Sequence, residues 1–343
     1  MNKILYYAGG LIMLASCSQS STPRYTVTIN ADPEAEGKMA YIVDFDTEEK
    51  IDSAAIVKGV ATFNGPVDEP RYAMLVIDDR SVGEFYLEDD SINITEGVAE
   101  GGALNTKNSE YWSERMAVAK EFNELPDSAQ QARLEEFRAK INGMESKLLE
   151  ENIDNALGYY YFFYGPCREM NLAQLDSAIN AHPKLGEYKR VQKVRDGLVK
   201  YAETSEGKMF KDFEVTYNDS TFRLSDHVGK GKYVLVDFWA SWCGPCIRQT
   251  AVIKDLYKEY GPEGLEVIGI AVWDKPEDTL KGIESHELPW MNVINAQSIP
   301  TDIYGIVGIP TIILFGPDGT IVSRDKQDDD LRNAVAKAMA QVK

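Results

Sequence analysis

The sequence predicts three successive parts: a small antiparallel, sandwich-like β domain over residues 25–105, a helical segment over 106–205, and an α/β domain over 206–343. Three observations carry this. Apolar residues alternate with period two in the first part and recur with helical spacing in the second. In the third they gather into two nearly continuous runs, Tyr233–Phe238 and Leu265–Val272, as in strands buried on both faces. A chain of 343 residues has room for two or three domains, and 44% hydrophobic with 27% charged residues is the balance of a soluble protein with real cores.

The elements follow in order. Tyr25–Ile29 alternates strictly, and Met39–Phe45, Ile51–Val57, Tyr72–Ile77, Glu84–Leu87 and Ile92–Thr95 follow as strands. Asp32-Pro33, Asn64-Gly65-Pro66 and Asp78-Asp79 read as the turns between them. No His or Cys lies between Arg24 and Asn105, and the acid pairs Asp78/Asp79 and Asp89/Asp90 read as solvated turns rather than metal ligands. Asn108 or Ser109 then caps a helix to Leu125, and Pro126-Asp127 opens another with Leu134, Phe137, Ile141, Met144 and Leu148 on one face. A third helix, Asn155–Tyr164, stops at Gly165-Pro166; its aromatic run Tyr159–Tyr164 reads as a helix packed on both sides, not a cofactor box. Leu172–Asn180 and Leu185–Ala202 complete the helical set. In the third part, helices Ile247–Tyr260 and Pro276–His286 alternate with the buried strands. Thr311–Phe315 turns at Pro317-Asp318-Gly319 into Thr320–Ser323, and Asp328–Val342 is a last helix, an α/β pattern.

The N-terminus predicts an address. Met1–Lys3 carries one positive charge, and Ile4–Leu14 is apolar but too short to span a bilayer. Leu14-Ala15-Ser16-Cys17 resembles a bacterial lipobox, which implies removal of residues 1–16, a lipid anchor on Cys17 and a polar tether over 17–24. The expected location is the cell envelope, facing the periplasm, where disulfides persist. Ser18, with no acid close behind it, fits the outer membrane. The net charge is −19, and residues 24–105 alone hold 18 acids against 6 bases. Such a surface repels phosphate backbones, which excludes nucleic-acid partners, and repels anionic headgroups, which leaves membrane attachment to the lipid.

The chemistry lies in Trp239-Ala240-Ser241-Trp242-Cys243-Gly244-Pro245-Cys246. Here a Cys-x-x-Cys ends a buried strand and opens a helix. The helix N-terminus stabilises a thiolate, so Cys243 is the expected nucleophile, and Cys246, one turn on, is placed to resolve a mixed disulfide. Pro245 suits the first turn, where its missing N–H is not needed. A structural zinc needs two further ligands, but His182, His227 and His286 are isolated and no second cysteine pair exists, so no metal and no cofactor is expected.

The stretch Phe238–Cys246 resembles the thioredoxin active site, and Gly308-Ile309-Pro310-Thr311 resembles that family's cis-proline segment. Lys211-Asp212-Phe213 and the extra helix between Asp274 and Ala296 make residues 206–343 similar to the envelope-anchored TlpA/ResA branch. The upstream part resembles the domain of unknown function and helical region that precede such modules in Bacteroidetes lipoproteins. The resemblance implies a thioredoxin-like fold and a cis Pro310 beside Cys243. It also implies that Ile309 and Thr311, with Trp242, meet an extended substrate, and that Asp237 is a buried acid accepting a proton from Cys246 through water. Three positions depart from the family pattern: Ala251 stands where a helix-kinking proline is frequent, Gln249 where Glu is common, and no lysine accompanies Asp237. Cys167 is left over; Arg168 beside it lowers a thiol pKa, but a lone cysteine is most often a small buried hydrophobe.

The resemblance thus implies an envelope protein thiol–disulfide oxidoreductase, with a Cys243/Cys246 dithiol that reduces protein disulfides and is recharged by a membrane electron donor. Two alternatives stay open: a disulfide oxidase or isomerase using the same cysteines, and an envelope binding lipoprotein in which the redox module is secondary.

Overall fold

The structure, a computed structural model, describes residues 22–341; the predicted signal peptide, Cys17 and the tether as far as residue 21 lie outside them. The chain divides into two compact units, Met1–Phe162 and Phe163–Lys343.

The first unit opens with eight strands: β1 (Arg24–Asn30), β2 (Met39–Asp44), β3 (Lys50–Ala55), β4 (Val60–Pro66), β5 (Arg71–Ile77), β6 (Arg80–Leu87), β7 (Ser91–Thr95) and β8 (Val98–Glu100). They form two four-stranded sheets, ordered β4-β1-β7-β8 and β3-β2-β5-β6. Val27, Ile29, Phe63, Ile92 and Ile94 from one sheet meet Ile42, Leu75, Phe85 and Leu87 from the other in a single core, the expected sandwich. The alternation suggested a wholly antiparallel unit, and one pairing departs from that. β1 and β7 pair in parallel, because the chain crosses through the opposite sheet before returning beside β1 in the same direction.

A second correction concerns Asn64-Gly65-Pro66, which lies inside β4 rather than in a turn. Gly65 pairs with Tyr25, whose ring lies over it; a Cβ at Gly65 would stand 2.4 Å from the Tyr25 hydroxyl oxygen. The glycine marks a close approach, not a reversal. Asp78-Asp79 does turn the chain, with both residues at positive φ (51° and 57°) between the paired Ile77 and Arg80.

Three helices follow: α1 (Ala103–Asn123), α2 (Asp127–Asn152) and α3 (Ala156–Tyr164). α1 begins five residues before the expected cap at Asn108, because its cap is supplied from the end of β6. Glu88 accepts from the backbone N–H of Leu104 at 2.9 Å and of Asn105 at 3.3 Å. The Asn105 amide in turn bonds both the N–H and the C=O of Tyr86. A cap 16 residues upstream has no local signature. α1 and α2 form an antiparallel hairpin, with Phe122 against Phe137 (5.0 Å between ring centroids) and the Tyr111 hydroxyl donating to Glu145. Of the predicted apolar face of α2, Phe137 and Leu148 are buried.

The second unit begins with α4 (Leu172–Ala181) and α5 (Lys189–Glu203). The single helix expected over 185–202 is broken: Leu185 sits in a short 3-10 turn and Tyr188 is extended, at φ −75° and ψ 124°. Then come β9 (Glu214–Tyr217), β10 (Ser220–Arg223), β11 (Val234–Trp239), α6 (Gly244–Tyr260), β12 (Glu266–Ala271), α7 (Pro276–Ser285), β13 (Met291–Val293), α8 (Ile299–Tyr304), β14 (Thr311–Phe315), β15 (Ile321–Arg324) and α9 (Asp328–Met339). The β9–β10 hairpin, β13 and α8 were not anticipated; each is too short to show a period.

A five-stranded sheet, β13-β12-β11-β14-β15, organises this unit. β11, β12 and β13 are parallel and β14 runs antiparallel to β11. Alternate residues of β11 serve opposite faces. Leu235 and Trp239 pack with Ile253 and Leu256 of α6 and with Leu331 and Val335 of α9; Val236 and Phe238 pack with Tyr304, Phe315 and Phe213. β11 is therefore buried on both sides, as its nearly continuous apolar run requires.

Arg324, 6% exposed, ties α5 to the sheet. Its guanidinium donates to the carbonyls of Thr204 (2.9 Å) and Tyr304 (2.7 Å) and lies 4.1 Å from the Tyr201 ring centroid. Replacing it leaves the buried Thr204 carbonyl without a donor and the Tyr304 carbonyl with only the Thr204 hydroxyl, 3.2 Å away. At about 1–3 kcal/mol for one orphaned buried group, Arg324→Met is expected to cost about 2 kcal/mol in urea unfolding of the full chain. A loss below about 1 kcal/mol rejects this role for Arg324.

Candidate active site

β11 ends at Trp239 and α6 begins at Gly244, so four residues carry the chain from the centre of the sheet to a helix start. Cys243 is the N-cap of α6: its Sγ accepts from the backbone N–H of Cys246 at 3.2 Å. Pro245 occupies the first turn. Cys243 and Cys246 form a disulfide with Cα atoms 5.2 Å apart. The two sulfurs are not equivalent. Cys243 keeps 4% of its surface and is flanked by exposed Trp242, Gly244 and Pro245, while Cys246 keeps none. The helix N-terminus and the Cys246 N–H both favour negative charge on the Cys243 sulfur.

The other predicted site residues gather here in different ways. The Ile309–Pro310 peptide is cis, and the Ile309 carbonyl oxygen lies 3.7 Å from Cys243 Sγ. Thr311 is buried, and its hydroxyl donates to the Gly308 carbonyl within the same loop. Trp242 is 62% exposed, yet its indole N–H donates to the carbonyl of Trp273 at 3.0 Å, which fixes the ring at the rim. Trp239 is wholly buried in the core behind the cysteines.

Asp237 lies in the middle of β11, 1% exposed. Leu235 and Trp239, its neighbours at two-residue spacing, belong to the same core as Cys243 and Cys246, so strand alternation turns Asp237 to the cysteine side of the sheet. Burial alone pushes its carboxyl up to about 7, with no cation to oppose it.

Two holding residues escaped the sequence reading. Asp274, 6% exposed, accepts from the Ser241 N–H (2.8 Å), the Ser241 hydroxyl (3.1 Å), the Lys275 N–H (3.0 Å) and the Thr279 hydroxyl (3.0 Å). It pins the turn before Cys243 to the start of α7. The available signal was an acid between a buried strand and the Pro276 helix start, but its partner lies 33 residues away. Asp328 was read only as a helix start. Buried Gln249, one turn beyond Cys246, donates to its carboxylate at 2.7 Å and accepts from its N–H at 3.1 Å, locking α6 to α9. With Ala251 in place of a proline, α6 runs unbroken from Gly244 to Tyr260. Cys167 stands apart, fully buried; burial outweighs the Arg168 charge and pushes its thiol up to about 11. Among the described residues, no group of three or more His, Cys, Asp or Glu is placed to hold a metal, and no helix is long and apolar enough to cross a membrane.

Comparison with known proteins agrees with this geometry. Residues 207–324 match the AhpC/TSA family, and residues 25–107 match a domain of unknown function, DUF4369. The chain is 32% identical over 99 residues to the thiol-disulfide oxidoreductase ResA of Geobacillus thermodenitrificans, covering 29% of this chain and 56% of that protein. It is 31% identical over 111 residues to ResA of Oceanobacillus iheyensis, covering 32% and 57%. The chain thus spans somewhat more than half the length of these relatives. Among solved structures, the thioredoxin domain of a thiol-disulfide oxidoreductase from Bacteroides vulgatus is 33% identical, with 39% of this chain and 96% of that one covered, at a TM-score of 0.36. A strand-to-helix Cys-x-x-Cys facing a cis-proline loop, together with the family and sequence matches, makes residues 207–324 a thioredoxin-like domain of the AhpC/TSA family, similar to the ResA thiol-disulfide oxidoreductases, carried behind a DUF4369 domain.

Proposed function

We propose that the protein is a thiol–disulfide oxidoreductase of the cell envelope that reduces disulfides in other proteins. The observation that carries this is the placement of the two cysteines at the start of α6: Cys243 at the rim receives the Cys246 N–H, and Cys246 waits fully buried behind it. The thiolate of reduced Cys243 attacks one sulfur of a substrate disulfide, and the other leaves as a thiolate. Cys246, losing its proton, then attacks the Cys243 sulfur of the mixed disulfide. The substrate departs with two thiols and two electrons, and Cys243 and Cys246 are left joined as the oxidised disulfide. A membrane dithiol donor returns two electrons to the pair. Asp237 takes the Cys246 proton through water, and Ile309, Thr311 and Trp242 line the approach of an extended substrate.

The N-terminal reading complements the chemistry. A lipid on Cys17 holds the protein at the envelope membrane, facing the periplasm, and the outer membrane fits Ser18. The boundaries 25–105, 106–205 and 206–343 separate a β domain, a helical segment and the redox domain.

Turnover is tested directly. With dithiothreitol as electron source, the full chain is expected to accelerate insulin precipitation, and Cys243→Ser to abolish the acceleration. The Cys246→Ala variant is expected to accumulate mixed disulfides with envelope proteins that reducing gels dissolve. Wild-type turnover no faster than Cys243→Ser rejects the reading.

Asp237 gives a stability prediction with a defined sign. Its unfolded value is about 3.9 and its folded value about 7. Below pH ~4 the carboxyl is protonated in both states and costs nothing; as pH rises toward 7 the unfolded chain releases its proton first, and folding loses about 1.4 kcal/mol per pH unit. An amide in place of the carboxyl cannot ionise. Asp237→Asn is therefore expected to gain on wild type steadily between pH ~4 and ~7, by a few kcal/mol in all, and to hold that gain above neutrality. Urea unfolding at pH 4, 5.5 and 8 measures it; a stability difference that does not change with pH defeats it.

A further inference from the structure

Among the described residues, five buried side-chain atoms lack a hydrogen-bond partner: the Tyr86 hydroxyl, Asp237 Oδ1, Trp239 Nε1, Trp290 Nε1 and Asn292 Oδ1. Four of these belong to one place. Gly269 of β12 pairs with Asp237 of β11 on one side and with Asn292 of β13 on the other, so all three look to the same face of the sheet. Trp239, two residues beyond Asp237, looks there too. Gly269 has no side chain, and the Asn292 amide and two indole edges close over its Cα instead. A Cβ at that position would stand 2.4 Å from Asn292 Oδ1 and 3.1 Å from each of the indole nitrogens of Trp239 and Trp290. Polar atoms thus converge over one glycine, on the sheet face it shares with one carboxyl. Protein interiors rarely leave so many such groups unpaired at a single spot.

The orientation of each group is fixed. The Asn292 amide cannot turn over, because its Nδ2 donates to the Trp290 carbonyl at 2.8 Å. Each indole nitrogen is a donor only. The set is two N–H donors, one amide carbonyl and one carboxyl oxygen. That is the complement of a water molecule, whose two lone pairs accept from the indoles while its two hydrogens go to Asn292 and Asp237. The carboxyl disfavours an anion there, and the two N–H groups disfavour a cation. No charged side chain intervenes: α6 brings Cys246, Ile253 and Leu256 to this core, α9 brings Leu331 and Val335, and β14 places Ile312 opposite Asp237. Burial is the sole influence on the carboxyl.

We propose that Trp239, Trp290 and Asn292 are positioning residues that hold one water molecule among their unpaired polar atoms, on the sheet face that Gly269 shares with Asp237, and that this water hydrogen-bonds the Asp237 carboxyl and solvates its anion in place of a cation. This deepens, and rests on, the reading of Asp237 as the proton acceptor of the dithiol. An Asp237 anion with such a partner forms more readily than one facing only hydrocarbon, and donors that polarise the water strengthen the effect.

Two measurements on the full chain test this without thiol turnover. A crystal structure is expected to show one ordered water within hydrogen-bond reach of both indole nitrogens, Asn292 Oδ1 and the Asp237 carboxyl. Indoles bonded directly to Asn292 with no molecule between them overturn the proposal. Carboxyl-labelled aspartate, followed by carbon NMR and assigned by the signal lost in Asp237→Asn, reports the titration itself. Trp290→Phe keeps an aromatic ring but removes one donor, and is expected to raise the Asp237 midpoint by about half a pH unit or more. An unmoved midpoint in a folded Trp290→Phe variant overturns the proposal; if that variant does not fold, the wild-type crystal structure decides alone. An inactive cysteine pair would defeat the functional reading while leaving both measurements intact.

Discussion

The short passage from β11 into α6 is the constraint on which the site depends. A strand buried on both faces must stop at Trp239, and a helix must start at Gly244. Only then does the Cys246 N–H reach the Cys243 sulfur. A charge at a helix N-terminus gains up to about 2 kcal/mol in partly buried geometry, and each ~1.4 kcal/mol is one unit of thiol pKa. That gain is realised only while the turn stays in place. The surrounding bonds serve this. Asp274 holds Ser241 from one side, Trp273 holds the Trp242 indole, and the Gln249–Asp328 pair fixes the helix one turn beyond Cys246. The cis Ile309–Pro310 segment closes the remaining side, with its carbonyl against Cys243.

Two buried aspartates near this turn show how environment divides labour. Asp274 accepts four hydrogen bonds and acts as a fixed anchor. Asp237 stands in the sheet with burial as its only influence and is pushed up to about 7. Groups whose surroundings drive their proton affinities apart are how a site assigns acid and base roles, and the cysteine pair supplies the counterpart. Here the helix N-terminus favours negative charge on Cys243, while burial disfavours it on Asp237. The sulfur lies where negative charge is favoured and the carboxyl where it is disfavoured. In the proposed exchange Cys246, wholly buried, loses its proton without exposure to solvent, and an acceptor so placed suits that step.

How much of this was legible depends on how local the cause is. Cys243, Cys246 and Pro245 were readable because strand end, cap and first turn lie within one stretch of chain. Pro310 and Asp237 were readable only through resemblance to thioredoxin, since nothing beside them in sequence fixes a cis bond or a buried carboxyl. Asp274 was missed because its partner Ser241 is 33 residues away, and the true start of α1 because its cap, Glu88, follows a strand 16 residues upstream. The β4 error has a different source. Asn64-Gly65-Pro66 carries turn chemistry, but Gly65 is there to let the Tyr25 ring lie on the backbone. Turn residues state what the backbone tolerates; the packing decides which tolerance is used.

Cys167 sharpens the point by contrast. It also follows a Gly-Pro pair and has an arginine beside it, which taken alone would lower its pKa, although the sequence reading favours a small buried hydrophobe. It lies in a short 3-10 turn, wholly buried, and burial overrides the Arg168 charge and pushes the thiol up to about 11. A neighbouring cation does not offset full burial, and this turn of three residues offers neither an exposed face nor a helix N-terminus. Among the cysteines of the described residues, the conditions for exchange therefore meet only at Cys243 and Cys246, where an N–H is aimed at one sulfur and the other is shielded. The proximity of two cysteines in sequence supplies the pair, but the end of a doubly buried strand makes its two sulfurs unequal: Cys243 lies at the rim and receives an N–H, and Cys246 is shielded behind it.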